Sequence, residues 1–255
     1  MKQVEVEIEI TNSLTKLYQK EKNLHEFLNF TLLSYVISIY TTKNKEATNL
    51  IGSIDSSLIP DFKKYKNNLS ESQRDFRDYL NEYVYKLHYQ TFEEFIFEIF
   101  ATLLNHFPEF LKKDNIDLGY ELIFEQSDIN IIRKNIIEKR VKNYIQSNNL
   151  KYWLQKFKTV FGINIRIQKQ DIETLYLASR IRNLLTHNNG IVNHIFISEL
   201  RKENIKTEYQ IGNSLINNLK NEIEKIENRI PEIAEDITNQ LIKKLPQIEA
   251  YSTKA

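Results

Sequence analysis

An all-α fold, a bundle of long helices, is what this chain of 255 residues predicts, and three observations carry the prediction. Glycine (5) and proline (4) are both scarce, so tight turns are few. Apolar residues recur at spacings of three and four through most of the chain, the period of a half-buried helix. Alternation of the kind a strand needs is confined to two short stretches, one at the N-terminus and one at Ile163 to Ile167.

Taken in order, Val4, Val6, Ile8 and Ile10 alternate with Glu5, Glu7 and Glu9, which fits a short N-terminal strand or the start of the next helix. From Ser13, the residues Leu14, Leu17, Tyr18, Leu24, Leu28, Leu32, Tyr35, Val36 and Ile39 predict a long first helix that fades over 41–49. Residues 52–60 (GSIDSSLIP) read as a loop, with a short helical piece through Tyr65. Ser70 with Gln73, and Thr91 with Glu94, are capping-box patterns that predict two successive helices. The first carries Phe76, Leu80, Val84 and Leu87; the second carries Phe95, Ile99, Phe100 and Leu103, and Pro108 closes it.

After a connection over 114–126, Ser127 is expected to cap a helix bearing Ile132, Ile136, Val141 and Ile145. Ser147-Asn148-Asn149 breaks it, and a helix with Trp153, Phe157 and Val160 follows, ending at Gly162. Asp171 is expected to cap the next helix, which stops at Asn188-Asn189-Gly190. A short helix within 191–200, an extended Tyr209 to Gly212, and a closing stripe from Leu215 to Leu245 complete the chain. Pro231 inside that stripe should kink or restart the helix, and the spacing also suits a coiled coil. Residues 1–70 read as an N-terminal helical extension, and 71–255 as the main helical domain, packed together as one unit.

Composition removes several classes of function. With no cysteine, a disulfide framework, thiol catalysis and zinc–thiolate sites are excluded. The opening MKQVEVEIEI is unlike a signal peptide, and the apolar run Phe27 to Tyr40 is too short to span a bilayer, so the expectation is a cytoplasmic protein with no membrane partner. His25, His88 and His106 have no partners at ligand spacing, so no metal site is expected. No glycine-rich phosphate loop or dinucleotide fingerprint is present, and no cofactor is expected. A net charge of +1 makes no global case for nucleic acid. Locally, Arg133 to Lys169 holds ten basic residues against the single acid Glu138, interleaved with Tyr144, Tyr152, Trp153, Phe157 and Phe161. That mixture fits a surface for single-stranded nucleic acid, or a solvated helix face over an aromatic core.

The stretch Ala178 to Asn193, ASRIRNLLTHNNGIVN, gathers the polar residues best suited to chemistry. At about 100° per residue, Arg180, Asn183 and His187 form one stripe opposite Ile181, Leu184 and Leu185. Arg182 lies about 140° from His187 on the same wheel. One rigid helix therefore does not aim both groups at one point unless the arginine wraps round, or a second copy supplies the missing half.

Arg182-Asn183-Leu184-Leu185-Thr186-His187 is an R-x4-H element with asparagine after the arginine, followed by Asn189-Gly190 and an apolar turn. It resembles the HEPN superfamily, and within it the ribonuclease branch of bacterial toxin and defence proteins. The arrangement from about Thr91 onward, with PEFL after a Phe-rich helix and FGI before the motif helix, resembles the HEPN pattern too; the first seventy residues lie outside it. The resemblance implies a HEPN-type bundle, a homodimer with a composite cleft, and metal-independent cleavage of RNA. The products would be a 2′,3′-cyclic phosphate and a free 5′-hydroxyl.

The residue types suit that chemistry. An imidazole such as His187 exchanges protons near neutral pH. The guanidinium of Arg182 stays charged and offers a fork of donors to a phosphate. Asn183 can orient the imidazole or touch the phosphate. Arg180, Thr186, Arg166 and Lys169 are expected RNA contacts. Related toxins that are silenced by nucleotide transfer carry a tyrosine two residues after the motif histidine; this chain has Asn189 there, which argues against that control. A partner antitoxin or defence protein fits the same resemblance. Two other readings stand beside it: a HEPN-like module that binds RNA or nucleotide, or scaffolds a partner, without cutting; and a helical interaction protein working through its closing helix.

Overall fold

The computed structural model of the protein describes residues 2–43, 69–113, 128–146 and 149–253. It is all-α. Eight α-helices are described: α1 Lys2–Lys43, α2 Leu69–His106, α3 Ile129–Ile145, α4 Leu150–Phe161, α5 Lys169–Asn188, α6 His194–Lys202, α7 Leu219–Glu227 and α8 Arg229–Ser252. Two short 3-10 turns, Pro108–Lys113 and Ile216–Asn218, join them. The predicted loop over 52–60, the piece through Tyr65, the connection over 114–126, the cap at Ser127 and the break at Ser147-Asn148 lie outside the described residues.

The N-terminal strand expectation is corrected: residues 2–10 belong to α1. Val6 and Ile10 are buried while Val4 and Ile8 are exposed. The alternation is ambiguous because i and i+4 share a face in a helix and also share parity in a strand. With Ser13, Leu17, Glu21 and Leu24 also buried, the helical period wins, and no strand among the described residues is there to pair with.

The two helices expected on either side of Thr91 are a single one, α2. A capping box opens a helix only where the chain arrives from outside, and Thr91 sits buried between turns with Tyr89, Phe92, Phe95 and Ile96 in the core. Helix α2 is the axis of the molecule, contacting α1, α3, α5, α7 and α8. Its Phe100 ring stacks on Phe157 at 4.6 Å and on Phe161 at 5.9 Å, and its Phe92 meets Trp153 at 6.0 Å. Those aromatics of the basic stretch are therefore core residues, as is Tyr144; of the five, only Tyr152 reaches the surface.

Other starts and stops move by a few residues. Asp128 caps α3, accepting the Asn130 N–H at 2.8 Å, and Asn149 caps α4. Helix α5 begins before Asp171, which sits buried in its first turn and pairs with Arg229 at the start of α8. The closing stripe breaks at Asn228, so Pro231 falls in the first turn of α8, where its missing N–H costs nothing. The segment Tyr209 to Gly212 is not a strand; it leads into an isolated antiparallel bridge between Ile191 and Ser214.

Candidate active site

Helix α5 buries Leu175, Ala178, Ile181, Leu184 and Leu185, and this apolar face fixes its rotation. Its end is held firmly. Asn189 (φ +50°) and Gly190 (φ +71°) both turn left-handed, and the Gly190 N–H reaches back to the Leu184 carbonyl at 3.2 Å. A Cβ on Gly190 would meet the Ile216 side chain at 3.0 Å, a tight contact that adds to the strain of the left-handed backbone. Three backbone bonds then tie 190–192 to 212–215: Val192 N–H to Asn213, Gly212 N–H to Val192 and Leu215 N–H to Gly190, at 2.8–3.0 Å.

Against this fixed end opens a pocket of about 310 Å³, lined by Ser179, Arg182, Asn183 and His187 of α5, Tyr89 and Glu93 of α2, and Ile145 and Gln146 at the end of α3. Arg182, Asn183 and His187 therefore meet within one chain. The pocket lies between the directions of Arg182 and His187, and Arg182 reaches it by leaning across to α2. Its Nη2 donates to Glu93 Oε2 at 2.8 Å and its Nη1 to Asn183 Oδ1 at 3.2 Å. His187 is exposed at the rim, in the last turn of the helix.

Burial sets the electrostatics of the inner wall. Desolvation pushes the Glu93 carboxyl above its ordinary value; the Arg182 guanidinium opposes that rise, and neighbouring Glu94 adds to it. Desolvation, with Glu93 nearby, also raises the Tyr89 phenol. The Tyr89 hydroxyl is buried without a well-formed hydrogen bond. Ser179 is close enough to ease its ionisation slightly, but turns its own proton to the Tyr176 carbonyl at 2.7 Å.

The expected RNA contacts are not gathered at this pocket. Arg180 points away, pairing with Glu199 of α6 at 3.2 Å, lying over the Tyr176 ring, and only 12% exposed. Thr186 is exposed but bonds back to the Arg182 carbonyl at 2.8 Å. Lys169 is at the far end of α5, about 27 Å from His187 by helix rise, within reach of Glu173. Arg166 lies beyond it, its backbone clasped by Gln240 of α8. Several lysines of the basic stretch are also ion-paired, Lys134 with Glu138 and Lys151 with Glu203.

Glu93 is the residue that sequence reasoning missed. Its position one turn after Tyr89, at the edge of an aromatic core stripe, is the sequence signal for a half-buried carboxylate. Among the described residues, no group of three or more His, Asp or Glu is arranged to hold a metal ion, and no helix is long and apolar enough to cross a membrane. No protein family, curated protein or solved structure matches the chain.

Proposed function

We propose that the protein is a metal-independent endoribonuclease of the HEPN type, working in the cytoplasm as a toxin or in defence against phage. The observation that carries this reading is the convergence of Arg182, Asn183, His187 and Glu93 on one pocket of about 310 Å³. His187 takes the proton of the 2′-hydroxyl as its oxygen attacks phosphorus. Arg182 holds the crowded phosphorane. The bond from phosphorus to the 5′-oxygen breaks and that oxygen receives a proton, leaving a 2′,3′-cyclic phosphate and a 5′-hydroxyl.

Glu93 adds a proton donor to the motif residues. Its pKa is lifted by burial and restrained by Arg182. Once Arg182 turns to a phosphate, that restraint weakens and the carboxyl takes up a proton it can pass to the leaving oxygen. A dimer with a composite cleft, as the resemblance implies, brings two such pockets to one RNA strand, with an antitoxin or defence protein restraining it.

The test compares wild type with Arg182→Ala and His187→Ala on RNA in EDTA, reading rate and end groups. Wild type should cut and leave cyclic phosphate; each variant should lose at least about a hundredfold. Equal cleavage by all three, or none by wild type, removes the enzyme reading. The Arg182–Glu93 pair at 2.8 Å favours one alternative, a module that binds RNA or nucleotide without cutting. That alternative predicts RNA binding weakened by Arg182→Ala and no turnover by any form.

A further inference from the structure

Helices α1 and α2 form an antiparallel pair that outruns the other described helices. The last well-buried apolar side chain described on α1 is Leu24 and the first on α2 is Leu80. Beyond them the two helices touch through their own rings, Phe27 edge-on to Tyr83 at 6.5 Å and Tyr35 stacked on Phe76 at 5.7 Å. This projecting part of α1 runs about 28 Å from Leu24 to Lys43. No charged residue occurs between Phe27 and Thr42.

Its outward side chains are largely apolar and in water, with Asn29 and Ser34 among them. Phe30 is 71% and Tyr79 70% exposed, Leu33 and Val36 58%, and Phe27, Phe76 and Tyr83 42–46%. At roughly 200 Å² for an aromatic side chain, the five rings leave on the order of 550 Å² open. That is at the upper end of the largest apolar patch of an ordinary monomer, about 300–600 Å². It approaches the roughly 800 Å² per partner of a stable protein interface. The charges at its edge are already neutralised in place: Lys22 with Glu26, Arg77 with Asp78, Lys86 with Glu82. A like surface can approach without repulsion.

We propose that this hairpin face is where a second copy of the chain docks, two hairpins closing into a four-helix bundle about a twofold axis. A lone pair of helices cannot bury both its faces; a second pair supplies the missing layer. Round α2, Tyr79 and Tyr83 stand within about 80° of Glu93, and Tyr83 is about 15 Å along the helix from it, so the partner sits beside the pocket. This names the surface for the dimer in the preceding reading, and rests on that reading for its use rather than its existence.

Sedimentation velocity on the full chain at micromolar concentration tests it. Wild type should run as a dimer. The double variant Phe30→Asp with Tyr79→Asp, both at exposed positions, should keep the far-UV spectrum and a cooperative melt while its dissociation constant rises at least about a hundredfold. Val4→Asp with Ile8→Asp, exposed at the opposite end of α1, should leave the dimer intact. A monomeric wild type, or a double variant that stays dimeric, overturns the proposal. So does flotation of wild type with vesicles of anionic phospholipid that the double variant loses, since the occupant is then a lipid surface. A dimer that cuts no RNA sinks the enzyme and keeps this surface; a monomer that cuts does the reverse.

Discussion

Glu93 sits where two demands meet: it neutralises Arg182 at 2.8 Å, and it pays in desolvation for being there. Its raised folded-state pKa has a definite sign in linkage. The folded protein holds this proton over a pH range in which the unfolded chain has released it, so the group's contribution to stability falls as pH rises through that range, upward from the usual carboxylate values. Glu93→Gln removes the titration. The variant's stability relative to wild type should therefore improve on going from pH 4.5 to pH 7, read as the difference in urea unfolding free energy at the two values. A difference that stays flat or moves the other way removes the raised pKa. In the cleavage assay the same variant, unable to donate a carboxyl proton, should slow the reaction by about ten- to a hundredfold, with binding retained. Of this site, Arg182, Asn183 and His187 were legible in the sequence because they share one short helical stretch. Glu93 lies 89 residues from Arg182, and no spacing rule links positions on separate helices.

The helices themselves were largely legible, since burial of an apolar stripe is a periodic signal; their ends were less so. Gly162 shows where an end signal is reliable. It closes α4 at φ +71°, and a Cβ there would meet the Tyr251 ring at 2.7 Å. Gly162→Ala should cost about 2–4 kcal/mol, from the left-handed backbone together with the clash. Urea unfolding followed through Trp153, the single tryptophan and fully buried, measures it. A loss below about 0.5 kcal/mol would show that Tyr251 moves aside freely. Thr91-Glu94 shows the opposite case. A capping pattern is local and says nothing of whether neighbouring turns bury the threonine, and here tertiary packing carried α2 straight through. Arg229 illustrates a further limit, because the partner that fixes Asp171 comes from the start of another helix.

At the scale of the molecule, α1 is less an appendage than a wall. Val6, Ile10, Leu17 and Leu24 fill the groove between α2 and α8, and Glu9, Lys16, Lys20 and Glu21 each pair with a residue of α2. Removing residues 1–43 should strip the cover from Thr91 and Phe95, which share a crevice with Ser13 and Leu17, leaving a chain that binds a hydrophobic dye and loses its sharp thermal transition. A cooperative melt by residues 69–255 alone would make α1 a separable extension after all. The all-α class was predictable from glycine and proline scarcity. The route by which one 38-residue helix gathers five neighbours was not, because long-range pairing leaves no local trace.

The lacing of 190–192 to 212–215 has one more consequence, for the timescale on which the motif helix opens. Helix ends ordinarily fray, and their amides trade protons with solvent quickly. Here the amides of Val192, Gly212 and Leu215 are locked across two segments, so in deuterated buffer they should retain hydrogen far longer than the amide of Ile195, in the first turn of α6 only three residues on. The imidazole of His187 would then ride on one of the slowest-breathing corners of the protein, and any loosening of that corner by a bound partner would appear first as deuterium uptake there.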